Sequence, residues 1–348
     1  MANYTTISWQ AKIESELNNS KNQGHLNHEL MGRISLLVLT AFLVFFTSCN
    51  KENSPDPQPG DYVKGKNRFT INIDGDEREY FVHVPAGYSG SSETPVVFML
   101  HGTNGNGEYF YTNSGWKEIG ESENIITVFP SSWKYCIVQD GQTLPNTEKW
   151  NALPGGWTPC DGEILRDDIK FLKSILTELN AKFAIDNKRV YLVGFSNGGS
   201  MASECTYEMS DKFAAIVESA ASLFGQQPTP LRKLPILFQI GNEDYGPGGS
   251  GPTAPMSSLS YMLSDSTTTL LQGHLYKFSQ TNIYYFGLNP NFTISGDTNS
   301  IVTATYTSNT PNEPLNVYHV ALIKGLKHSY PDGAAAKNWD WLKQYSLP

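Results

Sequence analysis

The stretch Arg189-Val-Tyr-Leu-Val-Gly-Phe-Ser-Asn-Gly-Gly199 decides the fold class. Residues 190–193 are an apolar run of the kind found in strands buried on both faces, and residues 198–210 follow with a helical pattern. A serine between a strand and a helix, flanked by glycines, is the G-x-S-x-G turn that exposes a nucleophilic hydroxyl, here Ser196. On this stretch alone, an ordinary glycine-rich turn is the alternative.

Two later strand ends supply partners for this serine. Asp244 follows the apolar run 234–240, and His328 follows the apolar run 316–323. The order serine, acid, histidine is that of α/β-hydrolases, in which the acid orients the histidine and the histidine activates the serine. The sequence therefore predicts Ser196 as nucleophile, Asp244 as acid and His328 as base.

Other ionisable residues compete for these roles. Glu243 precedes Asp244 and is an alternative acid. His319 lies inside an apolar strand pattern, where a buried structural histidine is the simpler interpretation. Asp186 and Asp211 lie before the serine strand and after its helix, which is the wrong order for the acid.

An oxyanion hole needs a second backbone donor from a loop after an early strand. The run 94–100 is followed by His101-Gly-Thr-Asn-Gly-Asn-Gly107. Gly102 allows the chain to turn back, so we expect the N–H groups of Thr103 and Asn197 to form the hole. His101 is expected to orient this loop rather than to act as a base.

Strands and helices alternate along the rest of the chain. This alternation predicts an α/β fold, a mostly parallel sheet with helices on both faces. Two segments, 131–162 and 245–310, interrupt it after strands and are expected to reach the rim where ligands bind. The predicted strands are 78–85, 94–100, 125–130, 189–194, 234–240 and 316–323, and the predicted helices are 167–180, 198–210 and 334–345.

The first of these segments is rich in aromatic residues and carries two cysteines. Trp150 and Trp157 are candidates for stacking on a substrate, with packing inside the segment's own small core as the alternative. Cys136 and Cys160 are expected to form a disulfide if the protein is exported. Cys205 is expected to be buried, and the sequence has no Cys/His cluster typical of a zinc site.

The N-terminus has the features of an export signal. The apolar run 34–46 spans about 20 Å as a helix, which is short of the roughly 30 Å hydrocarbon core of a membrane. It follows Arg33 and precedes Thr47-Ser-Cys49, which resembles a bacterial lipoprotein cleavage box with Cys49 as the lipidated residue. An internal transmembrane anchor is the alternative.

These features divide the chain into three parts. Residues 1–48 are interpreted as an N-terminal extension and signal peptide, with Met31 as the expected start. Residues 49–62 are a Pro-rich tether and residues 63–348 a single catalytic domain. The expected location is therefore outside the cytoplasm, membrane-anchored or secreted.

Charge and composition exclude several classes of protein. The chain of 348 residues has 25 Lys and Arg against 34 Asp and Glu, for a net charge of −9, which argues against a nucleic-acid-binding protein. Charged residues make up 17% and aromatic residues 12%, which excludes a disordered protein or a coiled coil.

The motifs in combination resemble a known family. Leu100-His-Gly-Thr103, Asp167-Asp-Ile-Lys-Phe171, the serine stretch and Gly325-Leu-Lys-His-Ser-Tyr-Pro331 are similar to the polyhydroxybutyrate depolymerase and feruloyl/acetylxylan esterase group, carbohydrate esterase family 1 and its relatives. The resemblance spans about residues 65–345. It implies an α/β-hydrolase fold, no cofactor and the same three catalytic residues. The sequence departs from the usual motifs of this family at two places. Tyr330 stands where many members have Trp, and Gly241-Asn-Glu-Asp244 stands in place of His-Gly-Thr-x-Asp.

The resemblance also implies the substrate class. We expect a serine ester hydrolase acting on feruloyl or acetyl esters of polysaccharides, or on polyhydroxyalkanoate or aromatic polyester. Tyr330 is a candidate substrate-binding residue beside Trp150 and Trp157. The alternatives from other classes are a serine peptidase and a non-catalytic, carbohydrate-binding surface lipoprotein.

Overall fold

The computed structural model describes residues 62–348 apart from 140, 153–156, 223–225, 268–270 and 272–274. The predictions for the signal peptide and Cys49, and for all of the tether except its last residue, lie outside the described residues. In the part of the chain that is described, no helix is both long and apolar enough to cross a membrane.

A ten-stranded sheet forms the centre of the described chain, in the order β1-β2-β4-β3-β8-β9-β10-β13-β12-β11. The six strands from β4 to β13 in this order are parallel, and an antiparallel pair extends the sheet at each side. Its strands are β1 Gly65–Ile73, β2 Asp76–Val84, β3 Thr94–Leu100, β4 Ile126–Pro130, β8 Ile185–Phe195, β9 Ala215–Ser219, β10 Ile236–Gly241, β11 Thr293–Asp297, β12 Ile301–Thr307 and β13 Val317–Ile323.

Helices cover both faces of this sheet. Alternate residues of the buried strand β3 point to opposite sides, so Val96 and Phe98 lie in one core cluster and Val97 and Met99 in the other. The first cluster includes side chains of α3, α4, α5 and α6, and the second includes those of α1, α2 and α7. The helices are α1 Gly107–Asn113, α2 Trp116–Glu123, α3 Asp168–Lys182, α4 Asn197–Glu208, α5 Leu259–Ser264, α6 Leu275–Phe286 and α7 Ala334–Leu342, with a 3-10 turn at Met256–Ser258.

The predicted α/β fold is confirmed, and five of the six parallel strands lie where the sequence places them. Four strands of the sheet were not predicted. β1 is half exposed, β9 is five residues long and contains a glutamate, and β11–β12 is a polar hairpin at the sheet edge. β1, β11 and β12 lack the continuous apolar run that identifies a strand buried on both faces, and the apolar part of β9 is only three residues long, Ala215–Val217.

The first interrupting segment folds into a small second sheet, which we call the insertion sheet, in the order β6-β5-β7. It consists of β5 Trp133–Gln139, β6 Gln142–Lys149 and β7 Thr158–Pro159. Cys136 and Cys160 are joined in a disulfide, with their Cα atoms 5.4 Å apart. This disulfide connects β5 to the residue that follows β7.

The two tryptophans proposed to stack on substrate do not do so, because both are buried. Trp150 is 0% exposed and belongs to the core of the main sheet. Trp157 is 5% exposed and packs with Tyr135 and Ile137 in the core of the insertion sheet. A ring covered on both faces by protein has no free face for a ligand, so the prediction for these two residues is wrong.

Candidate active site

Ser196 occupies the turn between β8 and α4 in a strained backbone conformation. Its φ is 55° and its ψ is −120°, values that a residue with a side chain adopts only when the surrounding structure enforces them. The Ser196 N–H donates to the carbonyl of Ser219 on the adjacent β9 at 2.8 Å, and its own carbonyl accepts from Ser200 N–H at 2.9 Å. These two bonds fix the serine at the carboxyl end of the parallel sheet.

Glycines permit this turn because backbone atoms occupy the space that a side chain would fill. A Cβ on Gly198 would lie 2.6 Å from the carbonyl oxygen of Leu100 at the end of β3, and it would also overlap the His101 carbonyl. A Cβ on Gly199 would lie 2.6 Å from the Ser219 oxygen. Real Cβ atoms do not approach so closely, so the start of α4 can pack between the ends of β3 and β9 only without side chains there.

Three side chains from separate strand ends meet in a hydrogen-bonded line. Ser196 Oγ lies 2.9 Å from His328 Nε2, and His328 Nδ1 lies 2.9 Å and 3.2 Å from the two carboxylate oxygens of Asp244. Because a carboxylate only accepts hydrogen bonds, Nδ1 carries the proton and Nε2 is left to accept from the serine hydroxyl. This arrangement can draw the proton from Ser196 and so turn it into a nucleophile.

Asp244 is 1% exposed and also accepts a hydrogen bond from Gly246 N–H at 2.9 Å. The alternative acid, Glu243, instead accepts from Thr253 Oγ1 at 3.3 Å. The geometry therefore favours Asp244 as the partner of His328.

Asn242 was not predicted from the sequence, yet it joins the loops that carry the acid and the histidine. Its buried side-chain amide donates to the carbonyl of Ala254 at 2.8 Å, and its side-chain oxygen accepts from Gly325 N–H at 2.7 Å. Its backbone N–H donates to Ile323 at the end of β13. An asparagine directly after a predicted strand is the signal that the sequence offers. Only the fold shows that this asparagine is buried and that two loops meet there.

The loop after β3 passes next to the serine. A Cβ on Gly102 would lie 3.2 Å from Ser196 Cβ, so this loop runs against the nucleophile. The Gly102 carbonyl accepts from Gly105 N–H at 3.0 Å, which closes a tight turn around Thr103. The loop that carries Thr103 and the start of α4 at Asn197 are therefore both close to Ser196, and the oxyanion hole formed by their N–H groups stays a prediction.

The side chain of His101 holds this loop through hydrogen bonds to backbone groups. Its Nδ1 lies 2.7 Å from the Gly102 carbonyl, and its Nε2 lies 3.0 Å from Ser132 N–H, so the ring donates through Nδ1 and accepts through Nε2. Burial lowers the pKa of His101 to about 4, so the ring is neutral at pH 7. Its two nitrogens are both occupied by backbone groups, which agrees with a structural role.

Trp150 is the second support of the oxyanion loop. Its backbone N–H donates to Asn197 Oδ1 at 2.6 Å and its carbonyl accepts from Asn197 Nδ2 at 3.2 Å. Its indole N–H donates to the His101 carbonyl at 2.9 Å. The residue that was expected to touch substrate thus connects Asn197 and the carbonyl of His101 to the end of the insertion sheet.

Two cavities flank the three side chains. A cavity of about 610 Å³, which we call the histidine-side cavity, contains residues that follow His328 together with residues of α1. A cavity of about 380 Å³, which we call the serine-side cavity, contains Ser196, Asn197 and residues of the insertion sheet. The glycine-rich loop at 102–104, Phe195 and His328 line both cavities.

Tyr330 lines the histidine-side cavity with its ring, which packs near Phe110 and Phe195 at centroid distances of 6.3 Å and 6.0 Å. Its hydroxyl accepts from Trp116 Nε1 at 2.9 Å and from Asn338 Nδ2 at 3.3 Å. The ring is therefore held in one orientation at the cavity wall. Among the three proposed substrate-binding residues, Tyr330 alone reaches a cavity beside the serine.

No group of three or more His, Cys, Asp or Glu side chains that could hold a metal ion occurs among the described residues.

A family model described as "Putative esterase" matches residues 72–247, a segment that contains both Ser196 and Asp244. The chain belongs to the Esterase family.

Several curated proteins have sequences similar to this chain. The chain is 25% identical over 281 residues to feruloyl esterase B of Piromyces equi, covering 78% of this chain and 46% of that protein. It is 29% identical over 136 residues to poly(3-hydroxyalkanoate) depolymerase C of Paucimonas lemoignei, covering 39% of this chain and 29% of that protein. The chain spans about half or less of the length of the curated relatives it matches.

The fold of this chain is also found in a solved structure. An acetyl xylan esterase from Aspergillus awamori superimposes with a TM-score of 0.50 at 14% identity, covering 80% of this chain and 99% of that one. At this identity the likeness concerns the fold. The resemblance to the feruloyl esterase, acetylxylan esterase and polyhydroxyalkanoate depolymerase group is confirmed by these relatives.

Proposed function

We propose that this esterase-family protein is a serine carboxylic ester hydrolase. The observation that carries the proposal is the line from Ser196 Oγ through His328 to the buried Asp244, with donor–acceptor distances of 2.9 Å at both steps. A strained serine at the end of a parallel strand, beside two backbone amides, is suited to acyl transfer.

In the proposed reaction, His328 Nε2 takes the hydroxyl proton as Ser196 Oγ attacks the ester carbonyl carbon. The carbonyl oxygen becomes an oxyanion, which accepts hydrogen bonds from the N–H groups of Thr103 and Asn197. His328 then protonates the leaving alcohol, and the acyl group stays on Ser196. A water molecule releases the acid by the same steps, while Asp244 holds the His328 ring in the required tautomer.

The substrates that we propose are feruloyl or acetyl esters of polysaccharides, or a polyester of the polyhydroxyalkanoate type. The names of the relatives support this choice, since they include a feruloyl esterase and a poly(3-hydroxyalkanoate) depolymerase. Two cavities meet at His328, beside Ser196, which leaves room for a large group on both sides of the ester, as in a feruloyl polysaccharide ester or a polyester.

We further propose that residues 63–348 form one catalytic domain, carried on the tether 49–62 and exported by the signal in 1–48. The disulfide at Cys136–Cys160 supports export, because disulfides persist in oxidising compartments. Lipidation at Cys49 would anchor the enzyme to a membrane. Metabolic labelling with palmitate, lost in Cys49→Ser, tests the anchor, and an unlabelled wild-type protein would contradict it.

The central experiment compares the wild type with Ser196→Ala and Ser174→Ala on 4-nitrophenyl acetate and butyrate. Ser174 lies half-buried on α3, outside both cavities, and serves as the matched control. Loss of turnover and of fluorophosphonate labelling in Ser196→Ala alone is expected. Substantial turnover by Ser196→Ala would contradict the assignment of the nucleophile.

The substrate class requires a panel of natural ester types. Methyl ferulate, acetylated xylan, polyhydroxybutyrate film, an aromatic polyester film and a peptide anilide should be compared with the same enzyme preparation. We expect release of ferulate, acetate or hydroxyacid well above that of the anilide. Preferential cleavage of the anilide would instead identify a peptidase.

A further inference from the structure

Lys149 is a buried lysine on the wall of the serine-side cavity. It is the last residue of β6 and is only 6% exposed, but it lines the same cavity as Ser196 and Asn197. Lysine is seldom buried in proteins without a partner of opposite charge. Its position beside the nucleophile therefore needs an explanation.

The contacts of its ammonium group are weak and uncharged. Nζ donates to Thr103 Oγ1 at 3.4 Å and to Gln139 Oε1 at 3.5 Å, and it lies 5.4 Å from the ring centroid of Trp157. No carboxylate of the described residues lies within 4.0 Å of this nitrogen. Burial lowers the pKa of Lys149 to about 8, which reflects the cost of a desolvated positive charge. An anion bound beside it would offset that cost.

The proposed reaction indicates which part of a substrate meets Lys149. His328 and Thr103 line both cavities, whereas Ser196 and Asn197 line the serine-side cavity and not the histidine-side cavity. The acyl group stays bonded to Ser196 while the alcohol leaves, so we place the acyl group in the serine-side cavity and the alcohol in the histidine-side cavity, beside Ser329 and Tyr330. This step rests on the proposed function.

The two cavities also differ in charge and polarity. The serine-side cavity contains Lys149 with the apolar side chains Ile137 and Leu144 on the insertion sheet. The histidine-side cavity contains Asp332 and no lysine or arginine. An acyl group with an apolar body and an anionic oxygen at some distance from the ester would match the first cavity and not the second.

We propose that Lys149 determines acyl specificity, favouring esters whose acyl group carries an anionic oxygen. A carboxylate, as in a half ester of a dicarboxylic acid, and an acidic phenol share this chemistry. The Lys149 ammonium binds the oxygen directly, and Gln139 and Thr103 hold the lysine side chain in place.

The test uses pairs of esters that differ in one oxygen function. The first pair is 4-nitrophenyl hexanoate and the 4-nitrophenyl half ester of adipate, which have the same chain length. The second is methyl ferulate and methyl 3,4-dimethoxycinnamate, which differ in the free phenol. For each pair, kcat/KM for the ester with the acidic oxygen is divided by kcat/KM for its neutral partner. This ratio is measured in the wild type, Lys149→Met, Lys149→Arg and Lys134→Met. Lys134 is an exposed lysine of the same hairpin, paired with Glu148 at 3.2 Å, and is the matched control.

In the wild type we expect the member of each pair with the acidic oxygen to be favoured, the adipate half ester through its carboxylate and methyl ferulate through its phenol. Lys149→Met should lower that ratio by about 10- to 100-fold, the effect of losing a hydrogen bond to a charged group, while Lys149→Arg and Lys134→Met keep it. A loss confined to the adipate pair identifies a carboxylate as the ligand, and a loss confined to the ferulate pair identifies a phenol. Unchanged ratios for both pairs in Lys149→Met would overturn the proposal.

A second measurement needs no variant. Adipamate, the half amide of adipate, should inhibit the wild-type hydrolysis of 4-nitrophenyl hexanoate at a lower concentration than the uncharged hexanamide does, and equal inhibition would contradict a cation in the acyl cavity. The two proposals fail in different ways. If the wild type hydrolyses no ester, the esterase proposal fails; if it hydrolyses hexanoate without any charge preference, only the role of Lys149 fails.

Discussion

The turn at Ser196 and the insertion sheet line the same cavity but are stabilised by different kinds of contact. The turn is held by backbone atoms in close approach, with Gly198 against the end of β3 and Gly199 against β9. The insertion sheet is held by side chains, a small core of Tyr135, Ile137 and Trp157 and the disulfide at Cys136–Cys160.

The turn therefore serves the proposed reaction itself, whereas the insertion sheet serves the proposed choice of substrate. Backbone packing allows almost no substitution, so the position of the nucleophile depends on a few glycines at the ends of core strands. Side-chain packing tolerates change, so the insertion sheet can vary the residues it offers to the acyl group, among them Lys149 and Leu144. We expect changes in the two regions to have different effects on the enzyme.

The largest effect should come from adding one methyl group at the turn. In Gly198→Ala the new Cβ would collide with the carbonyls of Leu100 and His101, which displaces both proposed oxyanion donors. Since each donor is worth about 10²–10³ in turnover, we expect kcat/KM for 4-nitrophenyl butyrate to fall by about 10⁴-fold or more.

Gly141→Ala, in the turn between β5 and β6 of the insertion sheet, is the matched control for that variant. Gly141 has a φ of +74°, but a Cβ added there would meet no atom within 4 Å, so alanine costs only backbone strain of about 1 kcal/mol. Thermal unfolding should detect this cost, with activity nearly unchanged. Equal losses of activity in the two variants would contradict the comparison.

Asp244→Asn should have the next largest effect. An asparagine keeps the shape but its amide favours the wrong tautomer of His328, so we expect a fall of about 10⁴-fold in kcat at neutral pH. Glu243→Gln changes the neighbouring carboxylate, which contacts Thr253 instead, and should change kcat little. A large fall in kcat for Glu243→Gln, with little change for Asp244→Asn, would instead identify Glu243 as the acid.

Removing the disulfide should affect stability more than chemistry. The double variant Cys136→Ser/Cys160→Ser loses a cross-link between residues 24 apart, worth about 3 kcal/mol in the free energy of unfolding. Because the triad lies on the main sheet, turnover of 4-nitrophenyl acetate should fall by less than about tenfold. Denaturant unfolding and initial rates check both points, and reduced wild type should match the variant. Loss of acetate turnover on the scale of Ser196→Ala would show that the insertion sheet positions the nucleophile.

Much of the main sheet and of the proposed triad could be predicted from the sequence. The apolar run of β3 and the glycine pattern around Ser196 reflect local requirements, since a strand buried on both faces needs continuous apolar residues and a tight turn needs glycine. Asp244 and His328 follow such strands, and parallel strands bring their carboxyl ends to one edge of the sheet.

The tertiary structure alone decided what the aromatic and charged residues of the insertion do. The sequence determined the fold class and pointed to the proposed nucleophile and its partners, because these depend on patterns within single strands and turns. It did not reveal that Trp150 supports Asn197, that Asn242 joins two loops, or that Lys149 faces the acyl cavity. Burial and contact of such side chains depend on residues far apart in the chain, and only the folded arrangement brings them together.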